Sequence, residues 1–404
     1  MKPKRILVSG YYGFSNVGDE AILLSMHQAL CNAIPNIEVT VLSAKPEETR
    51  REHGLKAISR LDAMAIWREL RRSDLLISGG GSLFQDLTSS RSLWLYLCVV
   101  LLAVLAGCPV MVYAQGIGPL RGRMNRMLVA ALLRKTALIT VRDQESLDEL
   151  KRLNVVNVPA HLTADPVMAL QPPEEPAAAG DITTRSLSHT PAPGGNRIVE
   201  AEASATTDGT LHCPLSIVHC QSLSSPYIGV SIRPWQDADR LLVHLSSVLQ
   251  RLIREKDARI LLIPMHYPGD DQITQELYEL LDSPDTVSIM PKGYRVEQII
   301  AQIANLDLLI GVRLHALVFA AIASTPAIAI CYDPKVDQFA RRMEQKCAGL
   351  LADVTADILW QAVCQQLQNK EQIRERTRQL SEELRREAGK TAELAAELLL
   401  GARG

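Results

Sequence analysis

The stretch NLDLLIGVRLHALVFAAIASTPAIAICYDPK, residues 305–335, decides the fold. Its apolar run at 308–312 has the length and the flanking residues of a buried parallel strand. The segment at about 314–324 is nearly all apolar, which predicts a helix packed between a sheet and its neighbours. A second apolar run, 327–332, predicts another buried strand. The order strand, helix, strand is typical of a parallel sheet with right-handed crossovers.

Three polar side chains follow these two strands: Arg313, His315 and Lys335. In an open parallel sheet the carboxyl ends of the strands form the ligand crevice, so we expect these side chains on one rim. Two of them are cations, and a histidine exchanges its proton near neutral pH. The stretch therefore predicts a site for an anionic substrate that needs acid or base catalysis.

The same alternation of strands and helices fills residues 1–170 and 226–353. It predicts the α/β class, with two Rossmann-like parallel-sheet domains, and 404 residues are enough for two cores. Residues 171–225 are rich in Pro, Ala, Ser, Thr and Gly without a hydrophobic period, so we predict a flexible, disordered insertion between the domains. Residues 354–404 are charge-rich and predict C-terminal helices with one packed apolar face.

Composition excludes several function classes. A net charge of −2 gives no basic field, so nucleic acid is not expected as a partner. The eight cysteines lack CxxC or CxH spacing, which predicts reduced thiols in a cytoplasmic protein and no metal site. The first residues hold too short an apolar run for a signal peptide.

The segment Leu93–Ala114 has no charged residue over a length that could span a bilayer. Gly107 and Pro109 divide it into a helix-length and a strand-length piece. We therefore predict a buried helix followed by a buried strand rather than a membrane span. Contact with the inner face of the cell membrane stays open at this stage.

The first strand ends in GYYGFSNVGDEAIL, residues 10–23, where glycines allow a tight turn and Asn16 or Asp19 can cap the next helix. The glycine spacing is not G-x-G-x-x-G, so no nucleotide cofactor is predicted. A later strand ends in three glycines, with Asp86 beyond. Their backbone N–H groups predict anion binding at a helix start, and close packing of a helix on the sheet explains them equally well.

All of these candidate residues follow predicted strands. If the two sheets face each other, the strand ends line one cleft, as in GT-B-type transferases. A donor and an acceptor would then bind on different domains. The predicted cleft residues are Asn16, Asp19, Gly79, Gly80, Gly81, Asp86, Arg142, Arg233, His266, Arg313, Leu314, His315 and Lys335.

Several motifs in one order resemble a known family. They are GYYGFSNVGDEAIL, GGGSLFQD, AQGIGPL, VRD and GVRLHALVFAAIASTPAIAICYDPKV. Together they resemble the polysaccharide pyruvyl transferase family, most closely its cell-wall CsaB type. The resemblance covers nearly the whole chain except the insertion and the C-terminal tail. The long insertion departs from the family pattern and leaves the spacing of donor and acceptor domains open.

The resemblance implies a GT-B-like fold and transfer of pyruvate from phosphoenolpyruvate onto a sugar as a cyclic ketal. In some members the acceptor is a lipid-linked saccharide that carries N-acetylmannosamine. By resemblance His315 matches the general acid, while Arg142, Arg313 and Lys335 match basic positions at the donor. No cofactor or metal is implied.

The chemistry fits these residue types. Phosphoenolpyruvate carries a phosphate and a carboxylate, which guanidinium groups bind in forked geometry. Our hypothesis is that charged His315 protonates the methylene carbon and then, neutral, deprotonates a sugar hydroxyl. Two alternatives stay open: a GT-B glycosyltransferase using a nucleotide sugar, with Asp333 as a ribose ligand, and a non-catalytic sugar- or anion-binding module. The acceptor sugar and the oligomeric state are not determined.

Overall fold

Two parallel sheets form the frame of the protein in the computed structural model, which describes residues 2–87, 90–172 and 225–401. The predicted insertion lies outside the described residues except at its two ends. Both sheets belong to α/β domains, as the alternation of strands and helices predicts.

The first domain holds a seven-stranded sheet in the order β3-β2-β1-β4-β5-β6-β7, with all strand pairs parallel. A 3₁₀ turn, Pro166–Ala169, follows it. The elements are β1 (Lys4–Tyr12), α1 (Val17–Ala33), β2 (Ile37–Ser43), α2 (Pro46–His53), β3 (Lys56–Ser59), α3 (Ala63–Leu70), β4 (Leu75–Gly79), α4 (Ser90–Ala106), β5 (Val110–Gln115), α5 (Arg123–Leu133), β6 (Leu138–Val141), α6 (Gln144–Arg152) and β7 (Ala160–Leu162).

The second domain holds a six-stranded parallel sheet in the order β10-β9-β8-β11-β12-β13. Two further helices follow it. The elements are β8 (Tyr227–Ser231), α7 (Ala238–Lys256), β9 (Arg259–Leu262), α8 (Asp271–Leu281), β10 (Val287–Ile289), α9 (Val296–Ala304), β11 (Leu308–Gly311), α10 (Leu314–Ile322), β12 (Ala327–Cys331), α11 (Pro334–Arg342), β13 (Lys346–Leu350), α12 (Ala356–Gln368) and α13 (Lys370–Leu400).

Helices cover both faces of the first sheet, which explains its uninterrupted apolar strands. Helices α3, α4, α5 and α6 pack on one face, and α1 and α13 pack on the other. Every residue of β4 and β5 is therefore buried. The segment Leu93–Ala114 contributes a helix and then a strand, as predicted. No helix in the described ranges is long and apolar enough to cross a membrane.

The strand order reverses between β1 and β4 and again between β8 and β11, which places a crevice at the carboxyl ends of these strands in each domain. The two crevices meet. The backbone N–H of Val17 donates to the carbonyl of Met265 at 2.9 Å, and that of Tyr267 donates to the carbonyl of Ser15 at 3.1 Å. The predicted arrangement of two sheets facing across a cleft is confirmed.

An apolar core joins the domains below this contact. Ala21 and Ile22 of α1 lie in the same buried cluster as Leu317 and Phe319 of α10. Because every residue of α10 except His315 is buried, the helix needs the apolar cover that its sequence predicts.

Helix α13 runs from the second domain back to the first. Near its start, Lys370 Nζ contacts Asp307 Oδ1 at 2.9 Å. Near its end, Lys4 Nζ donates to the carbonyl of Leu399 at 3.0 Å, and Ala395 is fully buried against the first sheet. The C-terminal helices therefore pack on both domains.

Candidate functional site

Five ionisable side chains from both domains interact where the crevices meet: Asp19, Arg142, Asp165, His315 and Lys335. We call them the interdomain cluster. Each sits just past a strand or in the first turn of a helix, where parallel topology gathers side chains at one edge. The sequence predicts four of the five, and Asp165 is the addition.

Arg142 is the fixed cation of the cluster. It is buried, its Nη1 donates to Asp165 Oδ2 at 2.7 Å, and its Nη2 donates to Ser82 Oγ at 3.1 Å. Burial works against its charged form, but Asp165 and Asp143 more than compensate and raise the pKa of Arg142. Asp165 is therefore the carboxylate partner of this arginine.

The imidazole of His315 lies against the start of α1. A Cβ atom on Gly18 would overlap its ring, so only glycine fits there. The Nε2 atom is buried, lies 3.9 Å from Asp165 Oδ2, and has no hydrogen-bond partner among the described residues. Burial lowers the pKa of His315 to about 4, helped by Arg142 and Lys335 and opposed by Asp165. The ring is therefore neutral at pH 7.

Asp19 shows the opposite shift. Burial raises its pKa to about 7, Glu20 adds to the effect, and Arg142 and Lys335 oppose it. A carboxylic acid and a neutral imidazole thus coexist near neutral pH. Titratable groups whose pKa values are pushed apart in this way are typical of acid and base assignments in active sites.

Of the two predicted caps of α1, Asn16 is the one that caps it. Its Oδ1 accepts a hydrogen bond from the backbone N–H of Gly18 at 3.1 Å. Asp19 does not cap α1, and its carboxyl group interacts instead with the other members of the interdomain cluster.

A cleft of about 570 Å³ reaches the cluster through Arg142, Asp165 and Lys335. Leu314 also lines it, as do the first turn of α6, α11 along most of its length and one side of α13. The Lys335 side chain is 32% exposed and lies 3.3 Å from Asp333 Oδ2. The cleft is large enough for a small anion together with part of a sugar.

Arg313 lies outside the interdomain cluster and pairs with Asp270. It makes a two-pronged ion pair with Asp270, which is fully buried and also accepts hydrogen bonds from the backbone N–H groups of Met265 and His266 at 3.1 Å. Its guanidinium therefore holds the β9–α8 loop, which docks on the first domain. It reaches the cluster only through its charge, which helps to lower the pKa of His315.

Arg233 and His266 belong to this second group around Asp270. Arg233 donates to the hydroxyl of Tyr332 at 2.7 Å and lies over the rings of Trp235 and Tyr332. Burial lowers the pKa of Arg233, and burial together with Arg313 lowers that of His266. The structure does not bring these two side chains into contact with the interdomain cluster.

The three glycines after β4 mainly allow close packing. A Cβ on Gly80 would overlap Ile22 of α1, and one on Gly79 would press on Met26. The N–H of Gly80 already donates to the carbonyl of Tyr113 at 3.2 Å. The predicted anion site at a helix start is wrong in one respect, because α4 begins only at Ser90.

Gly81 is the member of this run that borders the cluster. An added Cβ there would lie 3.2 Å from Asp19 Oδ1. Its contribution to the site is therefore space beside the Asp19 carboxyl group.

Asp86 serves the fold near the cleft. It accepts hydrogen bonds from the N–H groups of Arg121 at 2.8 Å and Gly122 at 2.9 Å and from the side-chain amide of Asn125 at 2.9 Å. These bonds fix the loop that starts α5.

The sequence analysis did not select three residues that shape the candidate site and its surroundings: Gly18, Asp165 and Asp270. Asp165 follows β7, and the strand-end rule that selected Arg142 could have selected it as well. Asp270 stands beside Asp271 in the sequence, and no pattern separates the buried carboxylate from the exposed one. In the sequence Gly18 is indistinguishable from a glycine needed for a turn, and only the structure shows that it lies against His315.

Cys331, Asp337 and Cys347 form a group whose potential ligand atoms lie within 4.8 Å of one another. The two sulfur atoms are 3.1 Å apart. Three protein ligands are one fewer than a closed structural zinc site needs.

The sequence profile for polysaccharide pyruvyl transferases matches residues 16–334 of this chain. Curated proteins gave no significant match. Among solved structures, HepE from Anabaena in complex with UDP-glucose is 11% identical, with a TM-score of 0.60, 98% of this chain covered and 99% of that chain.

Two further structures are similar. UDP-GlcNAc 2-epimerase from Neisseria meningitidis bound to UDP-GlcNAc is 11% identical, with a TM-score of 0.60 and coverage of 98% and 100%. MurG from Acinetobacter baumannii is 13% identical, with a TM-score of 0.52 and coverage of 99% and 100%. At these identities the likeness shows the fold alone, which is GT-B-like.

Proposed function

The chain belongs to the polysaccharide pyruvyl transferase family, and we propose on that premise that it moves pyruvate from phosphoenolpyruvate onto a sugar. The product would be a cyclic ketal on a cell-surface polysaccharide or its lipid-linked precursor, with release of phosphate. The observation that carries the proposal is the interdomain cluster. In it, Arg142 and Lys335 lie near a carboxyl group of raised pKa, Asp19, and an imidazole of lowered pKa, His315.

Arg142 and Lys335 would bind the donor. Phosphoenolpyruvate brings a phosphate and a carboxylate, and Arg142 is already oriented by Asp165 and Ser82. A preoriented guanidinium stabilises the charge on the departing phosphate without reorganisation during the reaction. Lys335, at the wall of the cleft, supplies a second positive charge.

Asp19 and His315 would divide the proton transfers. Protonated Asp19 gives its proton to the methylene carbon, and the first sugar hydroxyl adds to C2 and passes its proton to neutral His315. The electron pair of the C–O bond then leaves with the phosphate. The second hydroxyl adds to C2, and its proton balances the charge of the released phosphate. Our earlier hypothesis of a charged His315 as the acid is therefore revised, because the imidazole is neutral at pH 7.

The acceptor we propose is a saccharide containing N-acetylmannosamine, as in the cell-wall type that the motifs resemble. In the tautomer with its proton on Nδ1, the unpartnered Nε2 of His315 would accept the hydrogen bond of a sugar hydroxyl.

The test is phosphate release from phosphoenolpyruvate by the purified protein, with and without saccharides that carry N-acetylmannosamine, glucose or galactose. We expect release that depends on one acceptor, together with the mass gain of a pyruvyl ketal on that sugar. A parallel thermal-shift arm uses uridine diphosphate. No release with any acceptor, combined with stabilisation by uridine diphosphate alone, would replace the proposal with a nucleotide-sugar reaction.

His315→Ala tests the role of the imidazole. We expect turnover to be lost while phosphoenolpyruvate still raises the melting temperature, because Arg142 and Lys335 remain. His161→Ala, at an exposed position on β7, is the matched control and should keep full activity. Near-normal turnover by His315→Ala would rule out this role.

A further inference from the structure

The outer surface of α3, α4 and α5 exposes large apolar side chains. These helices lie side by side on one face of the first sheet, with their inner sides in the core. Their exposed apolar residues are between 43% and 75% accessible, and we call them the apolar face: Leu61, Met64, Leu101, Leu105, Met124 and Met127. Exposed apolar side chains gathered on neighbouring helices are typical of an interaction site.

Helix α4 is the clearest part of this face. It carries no charged residue after Arg91, although a surface helix normally has a polar outer side. Its outward positions at Trp94, Cys98, Leu101 and Leu105 follow helical spacing and form one exposed stripe. Water is therefore an unfavourable environment for this side of the helix.

Trp94 stands at the edge of the stripe. It is 47% exposed, and its indole Nε1 donates to Asn125 Oδ1 of α5 at 2.9 Å. The polar edge of the ring is thus satisfied while its apolar body stays at the surface. Tryptophan in this arrangement is typical of the boundary between water and lipid.

Positive charge surrounds the apolar face. Residues 60–73, 90–107 and 120–136 contain ten basic residues and two acidic ones, in a chain whose net charge is −2. The basic residues flank both ends of the helices: Arg60, Arg68, Arg71, Arg72, Arg91, Arg121, Arg123, Arg126, Arg134 and Lys135. A cationic rim around an apolar centre complements a bilayer that contains anionic lipids.

We propose that the apolar face docks on the surface of an anionic lipid bilayer. The apolar side chains would enter the boundary between headgroups and acyl chains, and the arginines would contact phosphate groups. A second copy of the chain fits this face less well, because each copy would bring its own cationic rim to the interface. The inference stands on the surface alone and does not depend on pyruvyl transfer.

The placement also suits the proposed function. Helices α4 and α5 start at the carboxyl edge of the first sheet, the edge at which the interdomain cluster lies. Docking would hold that edge near the lipid headgroups, where a lipid-linked acceptor would be presented. This step rests on the proposed function, whereas the docking itself does not.

The experiment is flotation of the full-length protein with vesicles of 30% phosphatidylglycerol and 70% phosphatidylcholine, compared with phosphatidylcholine alone, at about 0.1 M and about 0.5 M salt. We expect binding to the anionic vesicles at low salt and its loss at high salt. No acceptor or donor is present, so the result is independent of catalysis.

Two pairs of variants assign the surface. Leu101→Glu with Leu105→Glu should reduce vesicle binding at least tenfold, while Val243→Glu, at an exposed apolar position on α7, should not. Arg71→Gln with Arg72→Gln should weaken binding about 25-fold, from about fivefold for each arginine near an anionic surface. Arg254→Gln with Lys256→Gln on α7 removes the same charge and should leave binding unchanged.

Three outcomes would overturn the proposal. They are an absence of binding to either vesicle, equal loss in the α7 controls, and a wild-type dimer that Leu101→Glu with Leu105→Glu converts to a monomer without any change in flotation. Light scattering measures the oligomeric state, and circular dichroism shows whether each variant is folded.

Discussion

At the scale of single residues, the tightest constraint is the contact between Gly18 and His315. The imidazole occupies the space in which any side chain at position 18 would lie. Gly18 belongs to the first domain and His315 to the second. The lack of a side chain at position 18 therefore allows the two domains to approach this closely.

Gly18→Ala should therefore displace the imidazole. We expect kcat/KM for pyruvyl transfer to fall by about 100-fold, since a shift of about 1 Å in a catalytic group has effects of that size. Gly389→Ala is the control, because an added Cβ there meets nothing within 4 Å. It should leave activity unchanged and stabilise α13 by up to about 1 kcal/mol. Equal activity of the two variants in the phosphate-release assay would contradict the argument.

The opposed pKa shifts make a prediction about stability and pH. Asp19, whose pKa rises from 3.8 to about 7, stabilises the fold below pH 3.8, and this contribution is lost as the pH rises to 7. His315, whose pKa falls from 6.5 to about 4, stabilises the fold above pH 6.5, and this contribution is lost as the pH falls to 4. Between pH 4 and 6.5 the two slopes nearly cancel in the wild-type protein.

Replacing either group should leave the pH dependence of the free energy of unfolding that the other group causes. In Asp19→Asn the free energy of unfolding should rise with pH by about 1.4 kcal/mol per unit between pH 4 and 6.5, relative to the wild type. In His315→Gln it should fall by a similar amount per unit. Urea unfolding at several pH values measures both, and parallel curves for the two variants would refute the assignment.

The sequence predicts which residues lie in the interdomain cluster better than it predicts their protonation states. Arg142, His315 and Lys335 could be found because each follows an apolar strand, and parallel topology then collects them. The neutral state of the His315 imidazole could not be predicted, because its pKa depends on burial between two domains and on cations that are distant in sequence. The ion pair of Arg313 with Asp270 was missed for the same reason.

At the scale of elements, the β9–α8 loop forms part of the contact between the two domains. Asp270 binds the Arg313 side chain and two backbone N–H groups at once, so this carboxylate closes the loop that bonds to the first domain. The loop conformation therefore depends on one buried ion pair.

Asp270→Asn should destabilise the protein by about 3–5 kcal/mol, because it leaves the Arg313 charge partly buried without a counterion. Asp271→Asn changes the same group at the adjacent exposed position and should alter stability by less than about 0.5 kcal/mol. Denaturant unfolding of both variants is the measurement. A loss below about 1 kcal/mol in Asp270→Asn would show that the pair does not hold the loop.

Element prediction succeeded in the sheet centres and failed at two of the four edge strands. The runs that form β4, β5, β11 and β12 are mostly apolar and buried throughout, because both of their faces are covered. The sequence analysis missed β3 and β13, which are edge strands with partly exposed residues and a weaker pattern. It also missed α2 and α11, whose sequences are largely polar.

At the scale of the whole molecule, α13 ties the two domains together. It is anchored on the second domain by Lys370, and Arg342 of α11 joins it through an ion pair with Glu387 while donating to the carbonyls of Arg142 and Thr163 at 3.2 Å. Its last turns then pack on the first sheet. The two domains should therefore unfold together.

Ala395→Asp tests this connection. A carboxylate at a fully buried position should cost about 3 kcal/mol or more and should separate the unfolding of the two domains into distinct transitions. Glu393→Asp places the same side chain at an exposed position of α13 and should leave one transition. Scanning calorimetry distinguishes the two results, and a single unshifted transition in Ala395→Asp would disprove the role of α13.

The proposed acid and the proposed base come from different halves of the chain, Asp19 from α1 and His315 from α10. Neither half alone contains both groups, so the proposed reaction requires the two domains to be docked together. For protein engineering this means that a chimaera built to change acceptor choice must inherit both sides of the Gly18–His315 seam from one parent. Halves taken from different parents could each fold and still give an inactive hybrid.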